Sequence, residues 1–494
     1  MTHLGPDAVQ SAAESQAAAE GPHARLGARV ARNLAFLAAG RGTAAVLQFA
    51  AFAVIAAHLG PELLGVYTFA VAIVALFRIV PAFGFEQIVP RDVAQRPEDE
   101  MALVPNVVYL RVLLAGAAYA LLAGAVFVVG YESRSREAAL VAGLALLLVA
   151  GETLRASLAT RLRLGWSAVA DFLEAVVTLV GAVALTAAGY SVLPLLVLYV
   201  VAKLTNVAVV IGAATSVASY DWRPTPSLWW PAIRAAAPLA ATTLVISVYY
   251  RLDVVVLARI APTDDVGQYG LALKFLDAVV LLTAVVMAVL QPVLARSVVE
   301  GLGSLRRRYA RAVGLMTALA IPTGIAGAMT AWRIVPALPG LSQYEGAGIA
   351  LALLSPAAAL ILVATVVQGT LLAAHRERTL LRIALGGLAT NIVLIAALIP
   401  PFSYVGAAAA TTLTELALIV LTLAAARRLG LGWPLERARS LATATFVLVL
   451  ALLPGYLVHP FLQAAGGVAA FAFAAVLTGT VRPAEVREVL GRPA

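Results

Sequence analysis

Long apolar stretches alternate with short polar ones along the chain from residue 33 onward. Each apolar stretch has about 20 residues or more, the length that an α-helix needs to cross a bilayer. The pattern predicts fourteen transmembrane helices, at 33–58, 66–89, 105–130, 138–160, 168–188, 192–213, 232–258, 266–294, 309–332, 347–373, 379–399, 404–426, 441–458 and 461–480. The polar stretches are too short to fold as domains, so we expect the function to lie within the helices.

Residues 1–30 differ from the rest, because they are rich in Ala, Glu, Gln, Ser and Gly and contain no apolar run. This composition buries too little apolar surface to fold and is typical of a disordered cytoplasmic tail. The spacing of the spans predicts an N-terminal six-helix bundle at 33–214, a cytoplasmic connector at 215–231, a C-terminal six-helix bundle at 232–428, helices 13 and 14 at 441–481 and a tail at 482–494.

The composition supports an all-α polytopic membrane protein and argues against an enzyme. Of the 494 residues, 62% are hydrophobic and only 12% are charged, whereas about 25% are charged in soluble domains. The absence of cysteine excludes disulfides and thiolate chemistry, and the five histidines lack metal-ligand spacing. No Ser/His/Asp set, phosphate-binding glycine loop or catalytic carboxylate pair is present. We therefore expect a secondary transporter with no metal and no cofactor beyond a coupling ion.

The net charge of +9 follows from the distribution of arginines among the loops. If the N-terminus is cytoplasmic, the inner loops hold most arginines, including Arg306, Arg307 and Arg308. The outer loops then hold Arg134, Arg136, Arg259 and Arg333. The excess of basic residues on one side predicts that both termini are cytoplasmic, and no nucleic-acid partner is implied.

Two segments repeat one pattern at a distance of six helices. In register, Glu62 matches Asp264, Gly65 matches Gly267, Tyr67 matches Tyr269 and Ala70 matches Ala272. Because an even number of helices separates the copies, both halves run in the same direction through the membrane. This favours a parallel repeat about an axis along the membrane normal, which is a transporter architecture. The alternative is that Gly-x-Tyr simply recurs where glycine turns the chain and tyrosine lies at headgroup depth.

Several short motifs, taken in order, resemble one known family. They are Asn33, His58-Leu59-Gly60-Pro61-Glu62 with Gly65 and Tyr67, Phe83-Gly84-Phe85, Arg91-Asp92-Val93-Ala94, Tyr249-Tyr250-Arg251-Leu252-Asp253, Val266-Gly267-Gln268-Tyr269, Gln291-Pro292, Tyr344-Glu345-Gly346-Ala347, Asn391, and Tyr404-Val405-Gly406-Ala407-Ala408 with Glu415. Their order over helices one to twelve is similar to that of polysaccharide-biosynthesis (Wzx-type, O-antigen) flippases of the multidrug/oligosaccharidyl-lipid/polysaccharide (MOP) exporter superfamily. The resemblance implies a MATE-like fold, with two six-helix bundles around a central cavity and two added C-terminal helices.

The resemblance also implies a function. Flippases of this family move undecaprenyl-pyrophosphate-linked oligosaccharide from the inner to the outer leaflet of the cytoplasmic membrane by alternating access. The expected partners are this lipid-linked oligosaccharide, the membrane lipids and polysaccharide polymerase or assembly proteins. The alternatives are a lipid II flippase or a multidrug or organic-cation antiporter of the same superfamily and, less favoured, a polysaccharide polymerase or ligase.

Five cations fall inside predicted spans, where a charged side chain costs about 2.5–3.5 kcal/mol on insertion scales. Arg41 lies in the cytoplasmic third of its helix, Arg78 and Lys203 lie near the midplane, and Arg251 and Lys274 lie in the outer third. A pyrophosphate needs cationic donors, and a guanidinium group can bind phosphate oxygens in pairs. We expect these five residues to bind the pyrophosphate. The family's use of cavity arginines supports Arg41 and Arg251, which lie in matched segments.

Sugar-contacting candidates follow from helical spacing. Gln48 lies seven residues after Arg41 and therefore on the same face of helix one. Thr243 and Ser247 precede Arg251 at steps of four residues along helix seven. These three polar side chains are expected to contact sugar hydroxyls in a hydrated cavity.

Structural ion pairs are the alternative to a binding role for these charges. The expected pairs are Lys274 with Asp277, Arg78 with Glu86 or with an acid that the sequence does not identify, and Glu152 with Arg155. Asp171 and Glu174 are expected to stabilise the positive end of helix five. Arg111, just inside helix three, is expected to extend toward the nearer interface.

Energy coupling needs a group that can bind a proton or a cation. Glu415 lies at mid-depth in helix twelve and Asn391 at mid-depth in helix eleven. Together they are candidates for binding H⁺ or Na⁺. The alternative is a hydrogen-bonded glutamate that joins two helices.

Overall fold

The computed structural model describes the backbone of residues 6–432, 438–453 and 458–478, which forms helices and turns and no strand. Within these ranges it describes the side chains from Gly40 onward, except those at 242, 284, 285, 288, 289 and 438. The helices are α1 (Pro6–Phe77), α2 (Ile79–Ala82), α3 (Phe85–Gln95), α4 (Glu100–Val128), α5 (Ser133–Gly143), α6 (Ala145–Leu148), α7 (Arg155–Thr160), α8 (Leu164–Ala187), α9 (Val192–Val217), α10 (Trp229–Ile260), α11 (Thr263–Glu300), α12 (Leu302–Ala337), α13 (Glu345–Ala373), α14 (Glu377–Arg427), α15 (Ala438–Leu452) and α16 (Pro460–Leu477). Three 3₁₀ segments lie at Pro97–Asp99, Val149–Leu154 and Pro226–Leu228. The tail predicted at 482–494 lies outside the described residues.

The described helices make fourteen passes, which is the number that the apolar pattern predicts. α1 and α14 contain two passes each, because the chain turns at Gly60, where φ is 70°, and at Ser403, where φ is 49°. The 3₁₀ segment Pro226–Leu228 and α10 together form one pass, which is bent by 47° between Pro226–Ala241 and Thr243–Ile260. Ten segments are long and apolar enough to span a bilayer without further assumptions, and α15 holds a shorter apolar helix. The predicted all-helical fold is confirmed for this part of the chain.

Two of the predicted spans are less regular than their apolar patterns. The second span is interrupted at Phe83 and Gly84, whose φ angles are 38° and 74°. A β-carbon at Gly84 would lie 3.0 Å from the carbonyl oxygen of Ala236 on α10, so glycine permits both the turn and the close crossing. The fourth span consists of α5, α6, the 3₁₀ segment Val149–Leu154 and α7.

α1 also begins far upstream of the first apolar span. It starts at Pro6 and runs through most of the segment whose composition predicts a disordered tail. Ala, Glu and Gln recur in this segment and rank high in helix propensity. A lack of apolar surface therefore does not prevent helical backbone from continuing upstream of the span.

The loops lie at two opposite ends of the bundle, as the alternation of spans requires. At the first end, which we call the motif end, Tyr344 donates a hydrogen bond of 2.8 Å to the carbonyl of Ala56, and Arg259 donates one of 3.0 Å to the carbonyl of Val129. The other end, the connector end, holds residues 218–228. There the backbone nitrogen of Asp221 lies 2.8 Å from the carbonyl oxygen of Met101.

The two copies of the repeated motif contact each other at the motif end. A β-carbon at Gly65 would overlap the carbonyl oxygen of Thr263 and lie 3.0 Å from the nitrogen of Gly267. A β-carbon at Gly267 would overlap the carbonyl oxygen of Pro61 and lie 3.0 Å from the nitrogen of Gly65. The contact is reciprocal, as a parallel repeat about a central axis predicts. It closes the motif end between α1 and α11.

The connector is held against α4 by one buried amide. Asn106 is 1% exposed, and its Oδ1 accepts hydrogen bonds from the backbone of Thr225 (2.6 Å) and the indole of Trp229 (3.1 Å). Its Nδ2 donates to the carbonyls of Ala102 (2.8 Å) and Arg223 (3.4 Å). Both polar atoms of the amide are thus satisfied, and the chain between the two halves is fixed to the first half.

Candidate substrate cavity

A cavity of about 680 Å³ lies between the two halves of the molecule. Its walls come from α1, α8 and α9 on one side and from α10 and α11 on the other. The lining along α1 runs from Gly42 to Ile55, which corresponds to about 20 Å of helix. At the motif end the lining reaches Thr68 and Gly270, one turn from the contact between the two motif copies. The cavity is therefore closed at the motif end and extends toward the connector end.

Three of the five predicted pyrophosphate-binding cations line this cavity. They are Lys203, Arg251 and Lys274, and the acids that line it with them are Glu174 and Asp277. Among the described lining residues, cations therefore outnumber acids by one. In a chain that exposes apolar helices to lipid, this excess favours an anionic ligand.

The acids compensate the cations unequally. Lys203 is held tightly, with Nζ 2.7 Å from Oε1 of Glu174. Arg251 and Lys274 share one carboxylate, since Nη2 of Arg251 lies 3.5 Å from Oδ1 of Asp277 and Nζ of Lys274 lies 3.4 Å from Oδ2. The expected pairing of Lys274 with Asp277 is present, but it does not bury either side chain. The uncompensated positive charge lies at Arg251 and Lys274.

Aromatic side chains complete the cavity wall near these cations. Nζ of Lys274 lies 5.1 Å from the ring centre of Phe52, which is a cation–π distance. Tyr67 and Tyr199 also line the cavity, and sugars commonly pack against such rings. In the sequence, Tyr67 is recognisable only as part of the repeat and the family motifs, and Phe52 and Tyr199 are not selected, because single aromatic residues are common in apolar spans.

The sugar-contacting candidates separate in the structure. Gln48 lines the cavity and is exposed to it. Thr243 and Ser247 are not among the lining residues of this cavity or of the second cavity described below. The bend in α10 comes before Thr243, so it does not separate these two residues from Arg251. Before Arg251, α10 lines the second cavity instead, through Val245, Ile246 and Tyr249, and each step of four residues also turns the helix by about 40°.

Arg41 lies at the edge of the cavity, next to the lining residue Gly42. Its side chain is 54% exposed, and its Nε is 3.5 Å from Asp171. Asp171 also accepts a hydrogen bond of 2.7 Å from Arg155 and one of 3.1 Å from Asn206. Arg41 is thus an accessible cation near the connector end. Asp171 and Glu174 lie well inside α8, which begins at Leu164. The expectation that they stabilise the positive end of this helix is therefore wrong, because that effect is confined to the first turn.

Arg78 lies away from the lining of the cavity, in a network of ion pairs inside the N-terminal half. Its Nη2 is 2.9 Å from Glu86, as the sequence predicts, and 2.5 Å from Glu152. Glu152 therefore pairs with Arg78 rather than with Arg155. Arg111 is 0% exposed and donates to the carbonyl of Pro81 (2.8 Å) and to Thr153 (2.9 Å). The expectation that Arg111 extends to the interface is wrong, because these acceptors and Glu86, at 3.5 Å, satisfy it internally.

The two coupling-ion candidates are buried in the C-terminal half. Glu415 accepts a hydrogen bond from the Tyr249 hydroxyl, its only partner among the described residues, and lines a second cavity of about 580 Å³. Nδ2 of Asn391 lies 3.4 Å from Oγ1 of Thr414, the neighbour of Glu415. Oδ1 of Asn391 is buried without a described partner. An uncompensated carboxylate and a free amide oxygen are the ligands that a small cation uses.

A second buried acid faces the repeated motif. Asp253 accepts a hydrogen bond of 2.5 Å from the hydroxyl of Tyr269, which lies 3.2 Å from the hydroxyl of Thr411. The Asp253 carboxylate also accepts from the backbone of Val254 at 2.7 Å. Asp253 follows Arg251 by two residues and therefore lies on a different face of α10, but this spacing does not identify the partner. No group of three metal-ligating side chains occurs in the described part of the chain.

Comparison with known proteins gives one family match and several structural matches. A family model described as polysaccharide biosynthesis protein matches residues 30–298, whereas no curated protein matches the chain. The fold is similar to "Lipid II flippase MurJ, inward closed conformation", with a TM-score of 0.75, 12% identity and coverage of 89% of this chain and 98% of that one. It is also similar to an inward-facing multidrug resistance MATE transporter (0.56, 12%, 78% and 94%) and to a mutant of the Vibrio cholerae MATE transporter VcmN (0.54, 12%, 82% and 98%). The TM-scores and coverages show a shared fold, and at 12% identity the likeness extends to the fold alone.

The paired bundles, the parallel repeat and the cavity between the halves define a membrane protein with the MOP exporter fold. The predicted MATE-like fold class is therefore confirmed. Within this class, the chain belongs to the polysaccharide biosynthesis protein family, whose model matches more than half of its length.

Proposed function

We propose that this protein is a flippase that moves undecaprenyl-pyrophosphate-linked oligosaccharide from the inner to the outer leaflet of the cytoplasmic membrane. The pyrophosphate and the sugars cannot cross hydrocarbon without help, because burying a charged group there costs many kcal/mol. A cavity between the halves solves this problem, since the headgroup can cross inside it while the polyprenyl tail stays in lipid. Membership of the polysaccharide biosynthesis family supports this substrate class.

The observation that carries the proposal is the loosely compensated pair of cations at Arg251 and Lys274. Both face a cavity that also offers Gln48 and aromatic rings for sugars, and together they hold only one carboxylate. Guanidinium and ammonium groups in a water-poor site bind phosphate oxygens strongly. Arg41, exposed near the connector end, is placed to meet the headgroup first, and Lys203 lies farther along the same cavity.

Alternating access then requires the two ends of the cavity to open in turn. The motif end is closed by the glycine contact between α1 and α11. With cytoplasmic termini, as the arginine distribution predicts, the cavity extends toward the cytoplasm and the closed end faces outward. Loading from the inner leaflet is the step that this arrangement serves. Polymerase or assembly proteins are the expected consumers of the flipped unit.

A reconstitution experiment tests the proposal directly. The purified full chain is placed in liposomes with an undecaprenyl-diphosphate-linked disaccharide that carries a fluorophore, and an impermeant reductant reports the outer leaflet. We expect flipping to be at least about 10-fold faster than in protein-free vesicles, which corresponds to lowering the barrier to flipping by about 1.4 kcal/mol. Lipid II and a lipophilic organic cation serve as comparison substrates. If the protein transported the organic cation and did not flip the disaccharide, the flippase proposal would be withdrawn in favour of an antiporter.

We further propose that Glu415 and Asn391 bind the coupling ion, H⁺ or Na⁺. The Glu415→Gln change removes the charge while keeping the shape, so flipping by this variant should lose its response to pH and sodium gradients. The matched control is Glu377→Gln, because Glu377 lies on the same second cavity but its side chain is 61% exposed. If flipping by the Glu415→Gln variant followed both gradients as the wild type does, the coupling role would be withdrawn.

A further inference from the structure

Asp277 lies between Arg251 and Lys274, which are the two cations that the proposed substrate needs. Each of its carboxylate oxygens faces a different cation, at 3.5 Å from Arg251 and 3.4 Å from Lys274. Charge-assisted hydrogen bonds are normally about 2.7–2.9 Å long, and the Lys203–Glu174 pair in the same cavity is 2.7 Å. The Asp277 contacts are therefore loose, although the groups lie close enough to attract each other.

The three side chains are also open to the cavity. Arg251, Asp277 and Lys274 have exposed side-chain fractions of 30%, 39% and 32%. The carboxylate of Glu174, in contrast, is only 9% exposed. A molecule in the cavity can thus reach both cations of the loose cluster and displace their carboxylate, whereas the acid that holds Lys203 is shielded.

We propose that Asp277 is an intramolecular competitor for the pyrophosphate, a role that rests on the proposed flippase function. In the empty transporter its carboxylate lies between Arg251 and Lys274. A substrate diphosphate that contacts both cations displaces it, and the carboxylate returns when the substrate leaves. The same residue therefore compensates the cations in the empty state and weakens the binding of any anion that must displace it.

Charge balance determines how strongly this competition acts on each ligand. A diphosphate diester carries two negative charges, which match the two cations once Asp277 has moved away. A monophosphate diester carries one negative charge, so it can share the two cations with Asp277 and is repelled less by the carboxylate. Asp277 thus opposes doubly charged ligands more than singly charged ones, because the repulsion between two groups scales with the product of their charges.

The return of Asp277 also assists release and resetting. Without it, the empty transporter would hold two cations within lipid, and such charges are costly unless they are paired. With Asp277 in place, the empty cavity carries a smaller net charge while one end of the cavity closes and the other opens. Removing the carboxylate is expected to tighten binding and slow turnover together.

The test compares two polyprenyl probes on the purified full chain in nanodiscs. One is a polyprenyl-diphosphate-linked N-acetylglucosamine, and the other is the matching monophosphate-linked sugar. We expect the Asp277→Asn variant to bind the diphosphate probe about 10-fold more tightly than the wild type, with a smaller gain for the monophosphate probe. In flipping assays its KM should fall and its kcat should fall as well, which a merely structural defect would not produce.

Matched variants separate local competition from a change in cavity charge. Glu174→Gln adds the same charge to the cavity but leaves Asp277 in place, so its affinities should change much less. The Lys274→Gln/Asp277→Asn double variant removes one cation with the carboxylate and should lose the gain. If Asp277→Asn does not yield folded protein, Asp277→Ser is measured instead, with thermal unfolding as the check on folding.

Three results would overturn the inference, and they differ from one another. Unchanged or weaker binding of both probes by the folded Asp277 variant would exclude competition while leaving the flippase proposal standing. An equal gain in the Glu174→Gln variant would show that only the overall cavity charge matters. A wild-type protein that binds neither probe would remove the flippase proposal itself, and this inference with it.

Discussion

Replacing Gly65 or Gly267 with alanine is expected to hold the motif end open and to abolish flipping. The added β-carbon at either position would overlap a carbonyl oxygen of the other copy, at Thr263 or Pro61. These oxygens belong to backbone, which cannot move aside as the end of a flexible side chain can. The conformation in which the motif end is closed therefore becomes inaccessible, whereas the conformation in which this end is open is unaffected.

Single-cysteine labelling measures this effect cleanly, because the native chain contains no cysteine. In a Gln48→Cys background, an impermeant maleimide should reach the cavity from the connector side in the otherwise native protein. With Gly65→Ala it should react from the motif side instead. Comparing vesicles of both orientations also reports which end faces the cytoplasm.

Gly124→Ala is the matched control, since a β-carbon at Gly124 on α4 meets nothing within 4 Å. It makes the same chemical change in a transmembrane helix without a steric overlap. Normal flipping and unchanged labelling in the Gly65→Ala and Gly267→Ala variants would show that the motif contact is not a gate. Loss of flipping in Gly124→Ala would show instead that the helices tolerate no added methyl group.

The Arg251→Ala variant is expected to lose flipping while its abundance stays normal. Removal of a hydrogen bond to a charged group costs about 1.5–3 kcal/mol, so the flipping rate should fall at least about 10-fold. The fold should persist, because Asp277 keeps Lys274 as its partner at 3.4 Å and the change leaves a neutral pair. Flipping of the labelled disaccharide and the amount of folded protein in the membrane are measured together.

Other cavity cations provide the contrast for Arg251. The Lys203→Gln variant should reduce flipping less, because Glu174 already compensates Lys203 at 2.7 Å. Arg41→Ala should slow loading from the connector end, since its exposed guanidinium lies at the cavity edge. Wild-type flipping by both the Arg251→Ala and the Arg41→Ala variants would contradict the proposed role of these cations in holding the pyrophosphate.

The bundle is largely predictable from the sequence, because the bilayer imposes a length on each apolar segment. The turns at Gly60 and Ser403 fall between predicted spans, where the apolar pattern is interrupted. The break at Phe83 and Gly84 is not visible in hydropathy, since the flanking residues stay apolar. Its cause is the crossing of α10 at Ala236, a contact between residues far apart in the chain.

Ion pairs are predictable only where both partners lie on one short stretch of helix. Lys274 and Asp277 are three residues apart, and their spacing predicts the pair that the structure contains. Glu152 pairs with Arg78, 74 residues away, because α2 and the 3₁₀ segment Val149–Leu154 approach α4 in the folded protein. Spacing along the sequence cannot give such a partner, and it therefore favours the local pair with Arg155.

The residues that line the candidate cavity are also only partly predictable from the sequence. Depth in the membrane selects Lys203, Arg251 and Lys274, all of which face the cavity. Depth alone also selects Arg78, whose carboxylate partners lie inside the N-terminal half. The face of a helix and the position of its neighbours decide between the two situations, and neither is encoded in distance from a helix end.

The reciprocal glycine contact has a consequence for the history of this gene. Each copy of the motif is the surface on which the other closes, so a bulkier residue in one copy damages both. If the two halves descend from one duplicated ancestor, such a pair cannot diverge independently, whereas the surrounding helices can. Each copy then constrains substitution in the other, which explains why the motif is still recognisable as a repeat.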